Sequence, residues 1–457
     1  MVERRPLVAM VVNNAVAHDA RVIKTALTMS RAGADVRVLG VSASGLRERA
    51  VSGPGSGSAV ALAGSGSGSA VALAGSGSAV FERLPVLPPR SVSPGYVMWA
   101  ATRRFGRAFP AERWSRSIPV TGYYHRAFLP ALRELAPDVV HVHDIHLLAT
   151  VAHYAAGASP RPRVIYDAHE FVAGLAISGA RTQRSVDGWA ALEREFIRSA
   201  DRVITVADGL AERLQALHHL ERRPAVVHNA PIAWGAGEAV GTGSSRSLRG
   251  ECGIGPDVTL AVYSGALSAA RGVDTAVEAL GELPDLHLAV VAVPYPHPMA
   301  KRLMEIAARV GAADRLHLVP PVPSHEVPSY LSAADVAVSP ILGDSVSYDE
   351  ALPNKLFEFL HAGLPMVVSD CRAVAQFVTE HGLGAVFRAG DVDDLARGLR
   401  KVLADPPHPD TTDLRREYSW QGQEPHLIAV YDELVSGLRA PDAPISPEDL
   451  LLTWSRA

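Results

Sequence analysis

Two doubly wound α/β domains with a ligand cleft between them are the architecture this sequence predicts, and three observations predict it. The chain has 457 residues, too many for one ordinary hydrophobic core and suited to two domains of roughly 200 residues each. Short β-branched runs alternate with helical patterns almost throughout. Those runs are continuously apolar, which is how strands of a parallel sheet read when helices cover both faces.

In the first half the strand-like runs are "LVAMVV" (7–12), "DVRVLG" (35–40), "DVVHV" (138–142), "RVIYDA" (163–168), "RVITV" (202–206) and "AVVHN" (225–229). In the second half they are "TLAVYSG" (259–265), "LHLAVVA" (286–292), "RLHLVP" (315–320), "DVAVSP" (335–340) and "PMVVSD" (365–370). Between the halves, 231–257 is rich in Gly and Ser and lacks periodicity, so it reads as a linker. The expected organisation is a first domain over 1–230, the linker over 231–257 and a second domain over 258–439. In the tail, 440–457, Ser446 followed by Pro447 reads as the cap of a short helix packing back on the body. The ligand site is expected in the cleft, at the carboxyl ends of the strands.

Two segments stand outside this pattern. Residues 55–80 repeat a Gly/Ser-rich unit that is shorter than the roughly 20 residues a solenoid repeat needs. The stretch 52–80 is therefore expected to be a flexible surface insertion with no catalytic role. Residues 96–128 interleave aromatics with Arg103, Arg104, Arg107, Arg113 and Arg116. Two readings stay open there: an amphipathic helix with solvated arginines, or an acceptor lid or peripheral membrane patch that touches anionic lipid.

Composition narrows the partners. Apolar residues make up 48% and charged residues 20%, with a net charge of -4, ordinary for a globular protein and without a basic field to hold nucleic acid. The two cysteines, Cys252 and Cys371, make no disulfide framework and suit a reducing cytoplasm. The opening "MVERRPLVAMVVNN" has an apolar run too short for a signal sequence and no cleavage pattern, so it reads as a first buried strand. No apolar stretch reaches the length of about 18 residues that suggests a membrane span. A cytoplasmic location is expected, with membrane association only if 96–128 touches lipid.

The most informative stretch is "SYDEALPNKLFEFLHAGLPMVVSD" (347–370). Pro353 suits a first helical position, and Gly363, Leu364 and Pro365 end the helix, which is expected at about 353–362. Leu356, Phe357 and Leu360 share its core face, while Asn354 and Glu358, four apart, point away from it. Glu350 is placed in the preceding loop. Leu352, as N-cap, cannot accept a hydrogen bond, which leaves the amides of Asn354 and Lys355 for another acceptor. Free donors at the positive end of a helix make an anion seat, and Lys355 adds a full charge. Carboxylates take hydrogen bonds from hydroxyls, so Glu350 and Glu358 on either side of a diphosphate suggest a sugar at one end and a ribose at the other. That ligand would be a nucleoside diphosphate sugar; the alternative is that both acids are plain surface charges at a helix entry.

"EALPNKLFE" followed by "FLHAGLPMVVSD" resembles the E-x7-E segment of family-4 retaining glycosyltransferases, in the branch that reads Pro-Asn-Lys-Leu-x-Glu. Other segments fall in that family's order: "DARVIKTALTMSRAGADVRVLG", "PDVVHVHD", "VIYDAHE", "ADRVITVADGLAERL", "VVHNAP", "VYSGALSAARGVDTAVEAL" and "VPSYLSAADVAVSPI". The likeness covers most of 5–230 loosely and 258–435 well, and excludes 52–135 and the tail. It implies the GT-B fold, two Rossmann-like domains with an inter-domain cleft. It also implies roles. Glu358 binds ribose hydroxyls, Glu350 contacts the donor sugar, Arg271 grips the diphosphate, and His169 of "DAHE" lies near the reacting carbon. Gly265, Leu352, Asn354 and Lys355 complete the donor site. The sequence departs from the family at Ala266, where many members carry a second basic residue, and Lys355 is expected to take over part of that charge. Asp19 and Arg21, at the opening of the first helix, are expected to face the cleft and the acceptor, unless Asp19 is a plain N-cap; His169 has the alternative of a strand-end histidine satisfied by backbone.

The implied reaction is retaining transfer from a UDP- or GDP-linked sugar to a glycan, lipid-linked or small-metabolite acceptor, with no cofactor and no metal. Arg271, Lys355 and the helix N-terminus would stabilise the leaving diphosphate. Three rivals remain. "HVHDIH" suggests a metal-dependent hydrolase using His141, His143, Asp144 and His146. A sugar-nucleotide epimerase would share the fold and consume donor without acceptor. A non-catalytic sugar-nucleotide-binding partner of another transferase would show no turnover. No G-x-G-x-x-G follows the first strand and no P-loop occurs, which argues against dinucleotide oxidoreductases and P-loop enzymes.

Overall fold

A computed structural model describes residues 4–17, 19–42, 47–52, 79–85, 119–177, 181–233, 246–441, 443–450, 452, 455 and 456. The first sheet contains β1 (Leu7–Val11), β2 (Asp35–Ser42), β3 (Glu48–Ser52), β4 (Ala79–Pro85), β5 (Val139–His143), β6 (Arg163–Ala168), β7 (Arg202–Thr205), β8 (Ala225–Val226) and β15 (Ser455–Arg456). Its order is β15-β3-β4-β2-β1-β5-β6-β7-β8. The second contains β9 (Thr259–Ala266), β10 (Leu286–Val293), β11 (Leu316–Val319), β12 (Val336–Ser339), β13 (Met366–Ser369) and β14 (Gly384–Phe387), in the order β11-β10-β9-β12-β13-β14. All pairs in the second sheet are parallel, as are those from β4 through β2 and β1 to β8 in the first. Each strand order reverses beside its first strand, the doubly wound pattern that opens a crevice at the carboxyl ends.

Every predicted run is a strand, and β3, β4, β14 and β15 are additions. Their chemistry explains why they were not read. β3 pairs antiparallel with both β4 and β15, so this edge does not need the continuous apolar run of a covered parallel strand. β4 carries a buried charge, Glu82, matched by Arg47 and Arg49 at 2.6 Å each. β14, beginning at Gly384, is four residues long at one edge of the second sheet. Residues 53–78, most of the Gly/Ser stretch expected over 52–80, lie outside the described residues, as do Arg103, Arg104, Arg107, Arg113 and Arg116, whereas the ends of that stretch, Ser52, Ala79 and Val80, are not an insertion but belong to β3 and β4. The end of the segment 96–128 enters the helix Pro119–Leu135, where Tyr124 and Phe128 join the core.

Helices cover both faces of each sheet. Phe128, Leu148, Tyr166 and Leu192 pack on one face of the first, and Val8, Met10, Leu27, Trp420 and Tyr431 on the other. A buried side chain of this kind contributes roughly 1.5–3 kcal/mol. Trp420 and Tyr431 belong to the helix Trp420–Asp432, which follows the second sheet in sequence yet packs on the first. Trp420 Nε1 donates to Thr28 Oγ1 at 2.9 Å, and Thr28 Oγ1 to Glu424 at 2.7 Å. A boundary at 439 therefore misplaces this helix: periodicity fixes which face is apolar, not which sheet it covers. Likewise the helix Leu248–Cys252, inside the predicted linker, packs Leu248 and Cys252 into the second core.

The tail returns to the first domain. Ile445 enters its core, and Ser446 donates to Asp449 Oδ2 from its amide at 2.7 Å and its hydroxyl at 2.8 Å. Residues Glu448–Leu450 form one 3-10 turn, shorter than the predicted helix. Among the described residues no helix is long and apolar enough to cross a membrane.

Candidate functional site

At the carboxyl end of β9 the backbone passes through Gly265 at φ 125 and reaches the turn Ala269–Arg271. Gly272, at φ 64, closes that turn. A Cβ there would lie 1.9 Å from Pro340 O, so only glycine permits this approach to the chain leaving β12. The turn sets the Arg271 guanidinium 4.7 Å over the Tyr348 ring.

The helix Asn354–Ala362 begins at Pro353, whose extended ψ of 148 makes it the N-cap in place of Leu352. Leu352 instead packs against the second core. No side chain caps this end. Leu356 N bonds back to Pro353 O at 2.9 Å, while the amides of Asn354 and Lys355 precede the first such bond. Gly363 ends the helix in the left-handed region at φ 75.

Lys355 is buried, with Nζ 3.9 Å over the Tyr263 ring and no hydrogen-bond partner. A Cβ on Gly265 would stand 3.3 Å from that Nζ, so the glycine leaves room for the ammonium at the strand end. Burial, then the charge of Arg271, pushes the Lys355 ammonium well below its ordinary range. One turn on, Glu358 is half-buried. Burial raises its carboxyl, and Lys355 and Lys24 pull it back. Among the described residues neither the Arg271 guanidinium nor the Glu358 carboxylate has a hydrogen-bond or ion-pair partner. Two cations without counter-ions beside uncapped amides suit a diphosphate, and an unpaired carboxylate beside them suits hydroxyls.

Glu358 and exposed Asn354 line an open cleft with Ser324, His325, Lys24 and Asn229. The last two come from the first domain. Lys24 Nζ donates to Asn229 Oδ1 at 3.0 Å and to Ala230 O at 2.5 Å, and lies 4.6 Å over Trp420. Burial, then Arg21, brings its ammonium down to about 7. Sequence reasoning missed Lys24, although a lone lysine on the largely apolar helix Ala20–Arg31 was a signal.

Glu350 keeps different company. It closes a short helix, Val346–Glu350, rather than lying in a loop, because Ser345 caps that helix through Tyr348 N. Its Oε1 accepts from Arg213 Nε at 2.9 Å and Nη2 at 2.7 Å, and its Oε2 pairs with Arg372. A Cβ on Gly209 would lie 2.3 Å from Oε2. Arg213 and Gly209 belong to the first-domain helix Asp208–His218. Glu350 is thus a clasp between the domains.

In the first domain, Arg21 is turned inward. Its Nε and Nη2 bond Asp167 Oδ2 and Oδ1 at 2.8 and 2.9 Å, and Nη1 reaches Val227 O at 2.8 Å. This differs from a cleft-facing Arg21, because the buried Asp167 on β6 needs a counter-ion. Burial pushes Asp167 up, but Arg21, then His169 and the flanking histidines, hold it well below the usual range. Asp19 accepts from Val22 N at 3.1 Å and Asn14 Nδ2 at 2.7 Å, the N-cap arrangement.

His169 Nε2 is 3.2 Å from Asp167 Oδ2, and its Nδ1 is 3.5 Å from Asp144 Oδ2. Burial lowers it, but Asp144 and then Asp167 outweigh that and raise it to about 9. It is an imidazolium at neutral pH, partnered by carboxylates rather than backbone. Asp144 holds φ 63, a conformation that costs of order 1–3 kcal/mol.

The four residues of "HVHDIH" do not converge. His141 and His143 flank Asp167, with ligand atoms of the three within 4.8 Å, whereas Asp144 faces His169 and the His146 ring sits 4.7 Å from Trp189. Arg21 occupies both oxygens of Asp167, so a cation there would have to displace the guanidinium.

Residues 21–230 match the family described as Glycosyltransferase Family 4, and residues 245–423 the family described as Glycosyl transferases group 1. The D-inositol 3-phosphate glycosyltransferase of Mycolicibacterium smegmatis is 25% identical over 307 residues, covering 65% of this chain and 63% of its own. The chain thus spans a little under two thirds of that relative's length. Among solved structures, a sucrose-phosphate synthase from Thermosynechococcus elongatus superposes with a TM-score of 0.66 at 15% identity, over 94% of this chain and 99% of that one. HepE of Anabaena, in complex with UDP and glucose, does so with a TM-score of 0.61 at 12% identity, over 94% and 100%. At those identities the two structures bear on the fold alone.

Proposed function

This chain belongs to the family-4 glycosyltransferases and has their two-domain GT-B fold, and from that premise we propose that it transfers a sugar from a nucleoside diphosphate to an acceptor, with retention of anomeric configuration. One observation carries the reading: Arg271 and Lys355 stand without counter-ions at an uncapped helix start, with an unpaired carboxylate, Glu358, one turn on.

The diphosphate rests on the amides of Asn354 and Lys355, between Gly265 and Arg271, and the ribose hydroxyls donate to Glu358. As the glycosidic bond breaks, negative charge grows on the β-phosphate and the sugar becomes oxocarbenium-like. A unit charge about 4 Å from a cation gains roughly 4 kcal/mol at an effective dielectric of 20, so Arg271 and Lys355 together account for a large part of the barrier lowering without a metal. The acceptor attacks from the leaving-group face, and a phosphate oxygen takes its proton, so no protein nucleophile is required. His169, already protonated, cannot serve as the base; it donates a hydrogen bond that orients the donor sugar or the acceptor. Glu350 positions the second domain over the first through Arg213, and reaches the donor sugar only when that pairing is exchanged. The buried free thiols Cys252 and Cys371 fit a cytoplasmic location.

The test is a panel of UDP- and GDP-linked sugars by thermal shift, followed by turnover with and without acceptors, in the presence of EDTA. Phosphorylated polyols head the acceptor panel, given the relative named for D-inositol 3-phosphate. A donor at a hundred times its dissociation constant adds about 2.7 kcal/mol of stability. We expect one donor to bind, turnover to require acceptor, EDTA to have no effect, and NMR to show a retained anomer. Donor epimerised without acceptor, an inverted product, or loss of activity in EDTA would contradict the reading.

A further inference from the structure

The cleft that holds Glu358 has a wall built by the other domain. Lys24 is buried in the helix Ala20–Arg31, yet lines that cleft with Asn229, opposite Glu358 and Asn354. Its anchors are unusual in their location. Asn229 and Ala230 stand where the chain leaves the first domain, and Trp420 stands where it returns. The two crossings are themselves joined, since Trp420 N donates to Pro231 O at 2.7 Å. A buried ammonium is costly, and an apolar residue would fill this hinge more cheaply. What the lysine adds is a cationic group in the cleft that Glu358 also lines, a carboxylate with no hydrogen-bond or ion-pair partner among the described residues.

We propose that Lys24 is a positioning residue for the nucleotide: set at the hinge of the first domain in the cleft that Glu358 also lines, its charge helps this carboxylate accept hydroxyls of a ribose bound to the second domain. The inference rests on the proposed role of Glu358 in nucleotide binding and extends it across the domain boundary. The charged groups concerned are Lys355 on the helix of Glu358, Lys24, Arg21 and Asp19 on the first-domain helix, and His325 in the loop after β11. Lys24 and Lys355 both favour the carboxylate form. Removing Lys24 leaves Lys355 alone against the burial that favours the neutral acid.

The experiment is a double-mutant cycle read by calorimetric titration of UDP and GDP into the full chain. Lys24→Met should weaken binding of the preferred nucleotide at least fivefold in the wild-type background and less than twofold in Glu358→Gln. Its loss of affinity on acidification should begin at a higher pH than in the wild type. Lys24→Arg should restore most of the affinity. Ligand-free melting verifies that each variant folds, and Lys24→Gln, which keeps a donor for Ala230 O, replaces the Met variant if that one does not melt cooperatively. Equal losses in both backgrounds, or an unchanged pH profile, would overturn the inference and mark Lys24 as structural. If Glu358→Gln itself leaves binding intact, the role given to Glu358 fails with it. If Glu358→Gln weakens binding and Lys24→Met does not, only the inference fails.

Discussion

In the first domain, the buried charges around Asp167 have counter-charges. Arg21 and Asp167 exchange two hydrogen bonds, and His141, His143 and His169 gather round the same carboxylate. In the second domain, Arg271 and Lys355 lie on aromatic rings without an anion, and Glu358 faces a cleft without a donor. The two clusters have similar residue types and opposite accounts. The first is closed with respect to charge, although His141 Nε2 and His143 Nε2 make no hydrogen bond, and its charges hold β6 to the helix Ala20–Arg31. The second is open, and its unmet electrostatics is what a ligand would relieve. A buried polar group left unsatisfied costs free energy. A buried ammonium without an anion, Lys355, beside a guanidinium and a carboxylate that are also unpaired, therefore points to a site where a ligand binds.

The contrast can be broken most forcefully at Arg21. Arg21→Met leaves the buried Asp167 with His169 as its one remaining cation and two hydrogen bonds short, and loss of one partner from a buried pair costs about 3–5 kcal/mol. Urea unfolding should show that loss, and a change below about 1 kcal/mol would mean the first cluster is not closed as described. Lys355→Met should act in the opposite sense on stability, because it removes an ammonium that burial has already made unfavourable. The same variant should weaken nucleotide binding at least tenfold, about 1.4 kcal/mol. A melting temperature that falls, or an affinity that holds, would dissolve the contrast.

Titration sharpens it further. His169 is raised from its ordinary 6.5 to about 9. Its contribution to stability is therefore complete below about pH 6.5 and is lost as pH rises through about 9. Unfolding of wild type and His169→Gln, compared from pH 6 to 10, should show the wild type losing its advantage across that window; parallel curves would contradict it. The smallest effect is expected at the clasp. Arg213 is half exposed and Glu350 keeps Arg372, so Arg213→Ala should cost about 1 kcal/mol or less. A larger loss would mean that this pair dominates the domain contact.

The sequence made the parallel strands easy to read, because strands covered on both faces are uninterrupted apolar runs. Strands β3 and β4, near one edge, were harder: they pair antiparallel with each other, Glu82 interrupts β4, and 26 residues separate Ser52 from Ala79. The helix around Asn354 was placed to within one residue, the error being that Pro353 takes an extended ψ and stands half outside it. Spacing alone set Glu350 and Glu358 apart as a pair, but it carried no information on Arg213, 137 positions away, which takes Glu350. Arg21 was legible as a charge at a helix start and illegible as the partner of Asp167, 146 positions on. Long-range pairing of charges is a property of the fold. Sequence spacing shows which groups neighbour each other along an element, not which meet across the sheet.

A crystal structure with UDP or GDP, whichever binds, tests the central claim most directly. The account predicts the diphosphate at the amides of Asn354 and Lys355, between Arg271 and Gly265, with a ribose hydroxyl on Glu358. Density for the nucleotide at any other place, with Arg271 and Lys355 still unpartnered, would contradict it.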